Sequence, residues 1–300
     1  TLGRLPVSSA SLATPAFFDA GTAAAAAAPA PAAAAPAPAA FAPLSAFGFS
    51  ATGFAAVALS APDLSTVGFS AAAFAAALWA EAQGFGLFHL LGWPFWLAAV
   101  LGFLALDFAI WLQHVVTHKV PVLWRLHQVH HADLDVDLTT GIRFHPVEII
   151  LSALLKAALV ALLGIDPWVV LLFEAALNAS SVLTHANAHL PDRVDTVLRW
   201  VVCTPDMHRV HHSVVRAETD SNYGFCLSVW DRLFGTLRQA PAAGQFGATL
   251  GLPQYRDPSR LGLGALLLMP IHRARGQVYL PTQILASVGL DREGYLASGN

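Results

Sequence analysis

Ten of the thirteen histidines form four clusters between His114 and His212 whose spacing repeats in order. They are His114-x-x-x-His118, His127-x-x-His130-His131, His185-x-x-x-His189 and His208-x-x-His211-His212. Residues three and four apart share a helical face with Cβ atoms about 5 to 6 Å apart, so each cluster on a helix aims its imidazoles at one point. A structural zinc closes with four ligands and a catalytic zinc takes about three plus water, so ten imidazoles exceed the needs of one ion. Two ions sharing about five nitrogens each is the economical arrangement. Imidazole suits iron, zinc, copper and nickel alike, so ligand type does not name the metal. A single histidine is more often a hydrogen-bonded core or surface residue, but that account does not explain four clusters of matching spacing.

The surroundings of these clusters are apolar. With 56% hydrophobic and 12% charged residues, the chain is far below the roughly one-quarter charged content of soluble domains, and a membrane protein is the natural class. A net charge of -3 and the lack of a basic tract give no reason to expect nucleic acid. Cys203 and Cys226 read as reduced, packed thiols. The Ala- and Pro-rich opening cannot build a packed core and lacks the basic start of a secretory signal. Three regions follow: 1–67, low-complexity and weakly structured; 68–240, the membrane domain; 241–300, a cytoplasmic or interfacial tail.

Within the membrane domain, residues 93–112 form an apolar run of twenty broken only by Asp107, about 30 Å as a helix and enough to cross a bilayer. A weaker span near 68–90 is interrupted by Glu81, Gln83, Gly84 and Gly86. Val147–Ile165 and Trp168–Leu183 read as a hairpin around Gly164-Ile165-Asp166-Pro167. A hairpin returns the chain to the side it left, so all four clusters face one compartment. Lys119, Arg125 and Arg143, with eight arginines between 184 and 260, flank the clusters, and the 164–167 turn has no cation. The positive-inside rule then places the site on the cytoplasmic side. The expected fold is all-α: an integral membrane helical bundle with a cytoplasmic histidine-rich di-metal cap.

Polar residues inside the spans are costly unless they face protein or a cavity. Asp107, Trp111, His114 and His118 share a helical face, as do Glu174, Asn178, Ser181, His185 and His189. Asp107 and Glu174 either orient histidines from beneath or pair within the bundle. Glu148, Ser152 and Lys156 form a similar stripe, read as an intrahelical pair. Trp93, Trp96, Trp124 and Trp168 fit anchoring in the headgroup zone or core packing.

The text around the clusters carries a resemblance. Pro121-Val-Leu-Trp-Arg-Leu-His127, Thr140-Gly-Ile-Arg-Phe-His-Pro146, Thr204-Pro-Asp-Met-His208, Asn222-Tyr-Gly224 and Trp230-Asp-Arg-Leu-Phe-Gly-Thr236 make residues 84–240 resemble the sterol desaturase and fatty acid hydroxylase superfamily. The resemblance implies a non-haem di-iron centre that activates dioxygen at the cytoplasmic face of a helical membrane domain. It makes His114, His118, His127, His130, His131, His185, His189, His208, His211 and His212 the ligand set, with His145 binding the metal or sitting just behind it. His89 and His272 lie outside every motif. Val115 stands where an arginine commonly follows the first histidine, which removes a local ion pair.

On this resemblance the chain is an oxidoreductase that hydroxylates or desaturates a lipid: a sterol, fatty acyl chain, carotenoid or ether lipid. The cofactors implied are two iron ions, with zinc as a substitute, and dioxygen as co-substrate. No catalytic side chain is implied beyond the metal centre. No nucleotide loop or haem motif is evident, so electrons are expected from a separate ferredoxin, rubredoxin or small cytochrome. Asp133, Asp135, Asp137, Asp206, Glu218 and Asp220 are available to offset the cationic centre, although Asp133 and Asp220 taken singly read better as solvated loop. Asp231 and Arg232 are expected to pair. Neutral imidazole is the ligand form, so metal should be lost well below the ordinary histidine pKa of about 6.5. The competing class is a membrane zinc protein, hydrolase or transporter. Against it stand the absence of His-Glu-x-x-His and the position of the histidines after span ends instead of within one.

Overall fold

The computed structural model describes residues 64–271. Most of the Ala/Pro-rich opening, and His272, lie outside these residues. The described part is helical, and its only β pairing is the two isolated bridges Val202–Leu227 and Ser213–Leu250. Four stretches are long and apolar enough to cross a membrane: Ala71–Leu91, Phe95–Lys119, Pro146–Leu163 and Pro167–Thr184. The first contains a corner. Helix α1 (Leu64–Gln83) stops at Gly84, and the short α2 (Leu87–Leu91) resumes after Gly86.

The bundle closes through small residues. Lipid is as apolar as leucine, so membrane helices associate through close packing more than through water exclusion. Ala73, Ala77 and Ala80 sit on one face of α1 and are buried to within 1% of fully. That smooth stripe lets α1 lie against α5 (Pro146–Leu163) and α6 (Pro167–Thr184). At the corner, a Cβ on Gly86 would stand 2.3 Å from the backbone nitrogen of Gly164. Only glycine permits that approach, and Gly164 itself caps α5 in the left-handed region at φ 68°. Asp166 then starts α6, its carboxylate accepting from Trp168 N at 2.8 Å, with Pro167 in the first turn.

Helix α3 (Phe95–Lys119) runs seven residues past the apolar stretch read from the sequence, carrying His114 and His118 with it. It packs on α4 (Pro121–His131), α5 and α6. Leu106, Ile110, Val160, Val170 and Phe173 meet in the core between them. Beyond α6 the cap is built from short helices: α7 (Asp192–Leu198), α8 (Pro205–His211), α9 (Arg216–Thr219), α10 (Val229–Leu233) and α11 (Leu263–Leu268). Residues 252–269 return to pack Leu252 and Met269 on Val129 and Ala132 of α4.

Asp231 ties the cap to the bundle. Its buried carboxylate accepts from Trp111 Nε1 on α3, from the backbone of Tyr223 and Gly224, and from Thr236 Oγ1, all at 2.6 to 3.1 Å. The expected Asp231–Arg232 pair is therefore not what fixes this segment. Arg232 turns away, donates to the carbonyl of Arg199 and lies over Trp200. Nor is Trp124 a headgroup anchor. It packs on His118 and His131, under the Arg216 guanidinium. Trp96 and Trp168 are well exposed on the apolar surface.

Candidate metal centre

Four local devices bring the histidines together. The first is the C-terminal end of α3, with His114 and His118 one turn apart. The second is α4, which Pro121 starts after the extended Val120 and which carries His127, His130 and His131. The third is the end of α6, where His185 is the cap residue. The fourth is α8, opened by Pro205 and carrying His208 and His211, with His212 at its end. These nine side chains are at most 3% exposed.

They divide into two groups. His114, His118, His127, His131 and His211 bring one ring nitrogen each within 4.8 Å of one another, and His130, His185, His208 and His212 do the same. Hydrogen bonds at the other ring nitrogens determine what points inward. A backbone carbonyl only accepts, so a ring nitrogen bonded to one carries the proton, and in neutral imidazole the other nitrogen is a bare lone pair. Nδ1 of His114 donates to Tyr223 O at 2.7 Å, and His211 to Ser221 O at 2.7 Å. His130 donates to Thr140 O at 3.1 Å and His185 to Ser181 O at 2.7 Å. His127 Nδ1 faces the Glu148 carboxylate at 2.6 Å.

The lone pairs of His130 and His185 thus face each other at 3.2 Å with no proton to share, and Nε2 of His114 stands 3.1 Å from Nε2 of His127. Nε2 of His118, His131 and His211 has no protein hydrogen-bond partner. Adding protons is not the remedy. Burial, reinforced by neighbouring rings, pushes His211 down to about 3 and His185 to about 4. It holds His130, His131, His208 and His212 well below the usual histidine range. Converging, unprotonated nitrogen lone pairs in a dry site are the donor set of a transition-metal ion, and this set fits two.

Several sequence-derived candidates lie elsewhere. His189 joins neither group. Helix α6 ends at Thr184 and the chain is irregular from His185 onward, so the four-residue step to His189 is not a helical turn. Its half-exposed ring instead faces Asp206 at 2.6 Å and Asp192 at 3.4 Å. His145 caps α5, accepting from Val147 N, and its Nε2 meets Leu267 O. Asp107 accepts from Trp230 Nε1 at 2.8 Å, and Glu174 pairs with Lys156 across the α5–α6 hairpin.

The carboxylate behind a ligand position is Glu148, which the sequence stripe assigned to a pair within its own helix. Asp220 faces His118 Nδ1 at 3.4 Å and is held by Lys119 and Arg216. Asp133, buried, pairs with Arg143 and accepts from Thr140, whose carbonyl orients His130. Asp135 and Asp137 are exposed. Sequence reasoning missed the carbonyls of Ser221 and Tyr223, which the Asn222-Tyr-Gly224 segment presents. Asn222, at φ 50°, fixes them through hydrogen bonds to Met207 and Arg238.

One cleft, with about 710 Å³ of empty space partly open to solvent, reaches the five-histidine group between α3, α5 and α6. His114, His127, Phe144 and Glu148 line its histidine end, Ile110, Leu177 and Phe225 its apolar wall, and Lys156 and Glu174 another part.

Residues 99–236 match the family model described as fatty acid hydroxylase. An ornithine lipid hydroxylase of Rhizobium tropici is 35% identical over 150 residues, covering 50% of this chain and 44% of that protein. A human alkylglycerol monooxygenase is 30% identical over 154 residues, 51% and 33% of the two chains. A Delta(7)-sterol 5(6)-desaturase of Eremothecium gossypii is 29% identical over 143 residues, 48% and 38%. The chain therefore spans less than half the length of each of these relatives. No solved structure gives a significant match. The match over residues 99–236, which contain all nine converging histidines, supports the fatty acid hydroxylase and sterol desaturase superfamily for this part of the chain.

Proposed function

We propose that this protein is a membrane-bound, dioxygen-dependent non-haem di-iron oxygenase that hydroxylates or desaturates a lipid. The observation that carries the proposal is the pairing of two buried sets of converging histidine nitrogens with a cleft that meets one of them between helices long enough to cross a membrane. Related proteins named as lipid hydroxylase, alkylglycerol monooxygenase and sterol desaturase support it.

When bound, a pair of redox-active metal ions supplies the oxidising power that attack on an unactivated C–H bond requires and that no side-chain acid or base has. The chain's own contribution is binding and orientation. Carbonyls of Tyr223, Ser221, Thr140 and Ser181 fix each ring's tautomer. Glu148 holds the proton on His127 Nδ1, and Phe144 stacks on His130 at 4.5 Å. A lipid entering from the bilayer lays its apolar part on Ile110, Leu177 and Phe225. The concentration of Lys and Arg at the histidine end of the helices supports a cytoplasmic site, where a separate small redox protein delivers electrons.

Counting metals in protein purified in detergent without oxygen, then following dioxygen uptake on adding reductant, tests the proposal. About two irons per chain, at one ion for each four- or five-ligand group, with reductant-dependent uptake is the expected result. Zinc alone, with no uptake after iron reconstitution, would replace it with a structural or hydrolytic metal site.

A further inference from the structure

The lining of the cleft is mostly apolar, but polar side chains interrupt it. Beside Ile110, Leu177, Phe225, Ile142 and Phe144 it presents Gln113, Glu148, Ser152, Lys156, Glu174, Asn178 and Ser181. Most of these are accounted for within the protein. Asn178 donates to Glu174 O, Ser181 to Gly141 O, Thr117 to His114 O, and Lys156 to Glu174. Two atoms are not. Gln113 Oε1 and Glu148 Oε2 are buried and have no protein hydrogen-bond partner, and Glu148 as a whole is 7% exposed. Both are oxygen acceptors, and both belong to residues lining the cleft at its histidine end, Gln113 next to His114 and Glu148 against His127.

Two physical constraints then define the ligand. A buried acceptor without a donor costs about 1 to 3 kcal/mol, so the occupant must bring a donor. An ester carbonyl or an ether oxygen only accepts, and a hydroxyl or N–H donates. Lys156 is already paired with Glu174 on the same wall, which leaves an anionic ligand without a countercharge there. Building on the lipid-oxygenase reading above, we propose that the Gln113–Glu148 end of the cleft is a subsite for a hydrogen-bond donor, a hydroxyl or amide N–H, on the lipid substrate. It holds the carbon next to that donor close to His114 and His127. Gln113 is a specificity-determining residue, and Glu148 serves both His127 and the substrate.

A matched pair of ligands tests this without depending on turnover. Equilibrium retention of radiolabelled 1-hexadecanol, and its displacement by unlabelled 1-hexadecanol or by hexadecyl methyl ether, is measured on metal-loaded protein in lipid nanodiscs. The wild type should bind the alcohol at least about tenfold more tightly than the ether, the value of one buried hydrogen bond. Gln113→Leu should retain its metal and reduce that preference several-fold. Comparing two ligands on one protein removes any general loss of folding from the result. Equal affinity of the wild type for alcohol and ether, or an undiminished preference in Gln113→Leu, would overturn the subsite. A preference that disappears in Gln113→Leu while no lipid is ever oxidised would uphold the subsite and overturn the oxygenase reading instead.

Discussion

The two histidine groups are built from the same residue type but sit in unlike surroundings. The five-membered group draws on α3, α4 and α8, has Glu148 and Asp220 behind its rings, and opens through His114 and His127 onto the cleft. The four-membered group draws on α4, the end of α6 and α8. Its oriented rings, His130 and His185, rest on carbonyls, and none of its members lines the cleft. One group therefore faces the cleft with anionic support, and the other is enclosed and supported by neutral dipoles. A carboxylate behind an imidazole makes the ring a stronger donor, so the two groups should differ in how tightly they hold a metal and in what each contributes to turnover.

Removing one ring from each group gives the largest expected effect. His130→Ala and His211→Ala should each abolish turnover. In metal analysis His130→Ala should lose the ion of the four-membered group first, and His211→Ala that of the five-membered group. The two groups interleave on α4, where His130 and His131 are adjacent but belong to different groups. Simultaneous loss of both metals from either variant would mean that the two behave as one cooperative cluster. Full activity in either would remove that position from the ligand set.

Acid should act next, and on both groups together. The folded-state pKa values of His211, about 3, and His185, about 4, lie below the ordinary histidine value. For a base depressed in the folded state, the neutral ring's contribution is fully present above pH 6.5 and is lost as the pH falls, because only the unfolded chain takes up protons. Each such histidine changes the folding equilibrium by about tenfold per pH unit in the window from about 6.5 down to 4 or 3. The sequence alone suggests release of metal well below the ordinary histidine pKa, and the burial of these rings acts in the same direction. Thermal midpoints of metal-free protein should decline through this window, and metal should leave with the loss of helical signal. Metal release near pH 6 from a fully helical protein would contradict the burial argument.

How much of this was legible in the residues depended on what kind of group carried the information. Apolar runs marked three spans, and Asp166-Pro167 marked the hairpin, because hydropathy and helix-start chemistry are local. The apolar run stops at Leu112, but the shared face of Asp107, Trp111, His114 and His118 carried the helix further, and α3 ends at Lys119. The spacing of His127, His130 and His131 put all three on one helix, but they do not converge on one point: His127 and His131 join the five-membered group and His130 the four-membered one. The same spacing failed at His185-x-x-x-His189, where the helix had ended. Carbonyl supports at Ser221 and Tyr223 left no signature, because every residue has a carbonyl. Glu148 lies 21 residues from His127, and nothing in the spacing shows that Pro146 starts a helix directed back at that ring.

That carboxylate gives a sharper test of the asymmetry. Glu148→Gln preserves volume and can still accept from His127 Nδ1, but it removes the charge. Loss of such a carboxylate behind a metal-binding ring typically costs about 10- to 100-fold in metal affinity or activity. The loss should fall on the five-membered group, leaving the occupancy of the four-membered group unchanged in anaerobic competition with a chelator. Equal weakening of both would erase the electrostatic distinction between them.

The smallest effect is expected at His189, and it decides whether the groups are unequal in number as well as in charge. Its Nδ1 faces a buried Asp206 carboxylate at 2.6 Å, and its Nε2 faces Asp192. To reach the four-membered group, the ring would have to leave that carboxylate, whose burial makes an unpaired charge costly. His189→Ala should therefore keep both metals, with less than about tenfold change in affinity, below the range typical of groups that directly orient a ligand. Asp206 sits in the first turn of α8, three residues before Arg209 at 4.0 Å, so that arginine is available to compensate once the imidazole is gone. Loss of one metal in His189→Ala would show that the ring swings inward when an ion binds. The four-membered group would then become five, and charge support alone would distinguish the two sites.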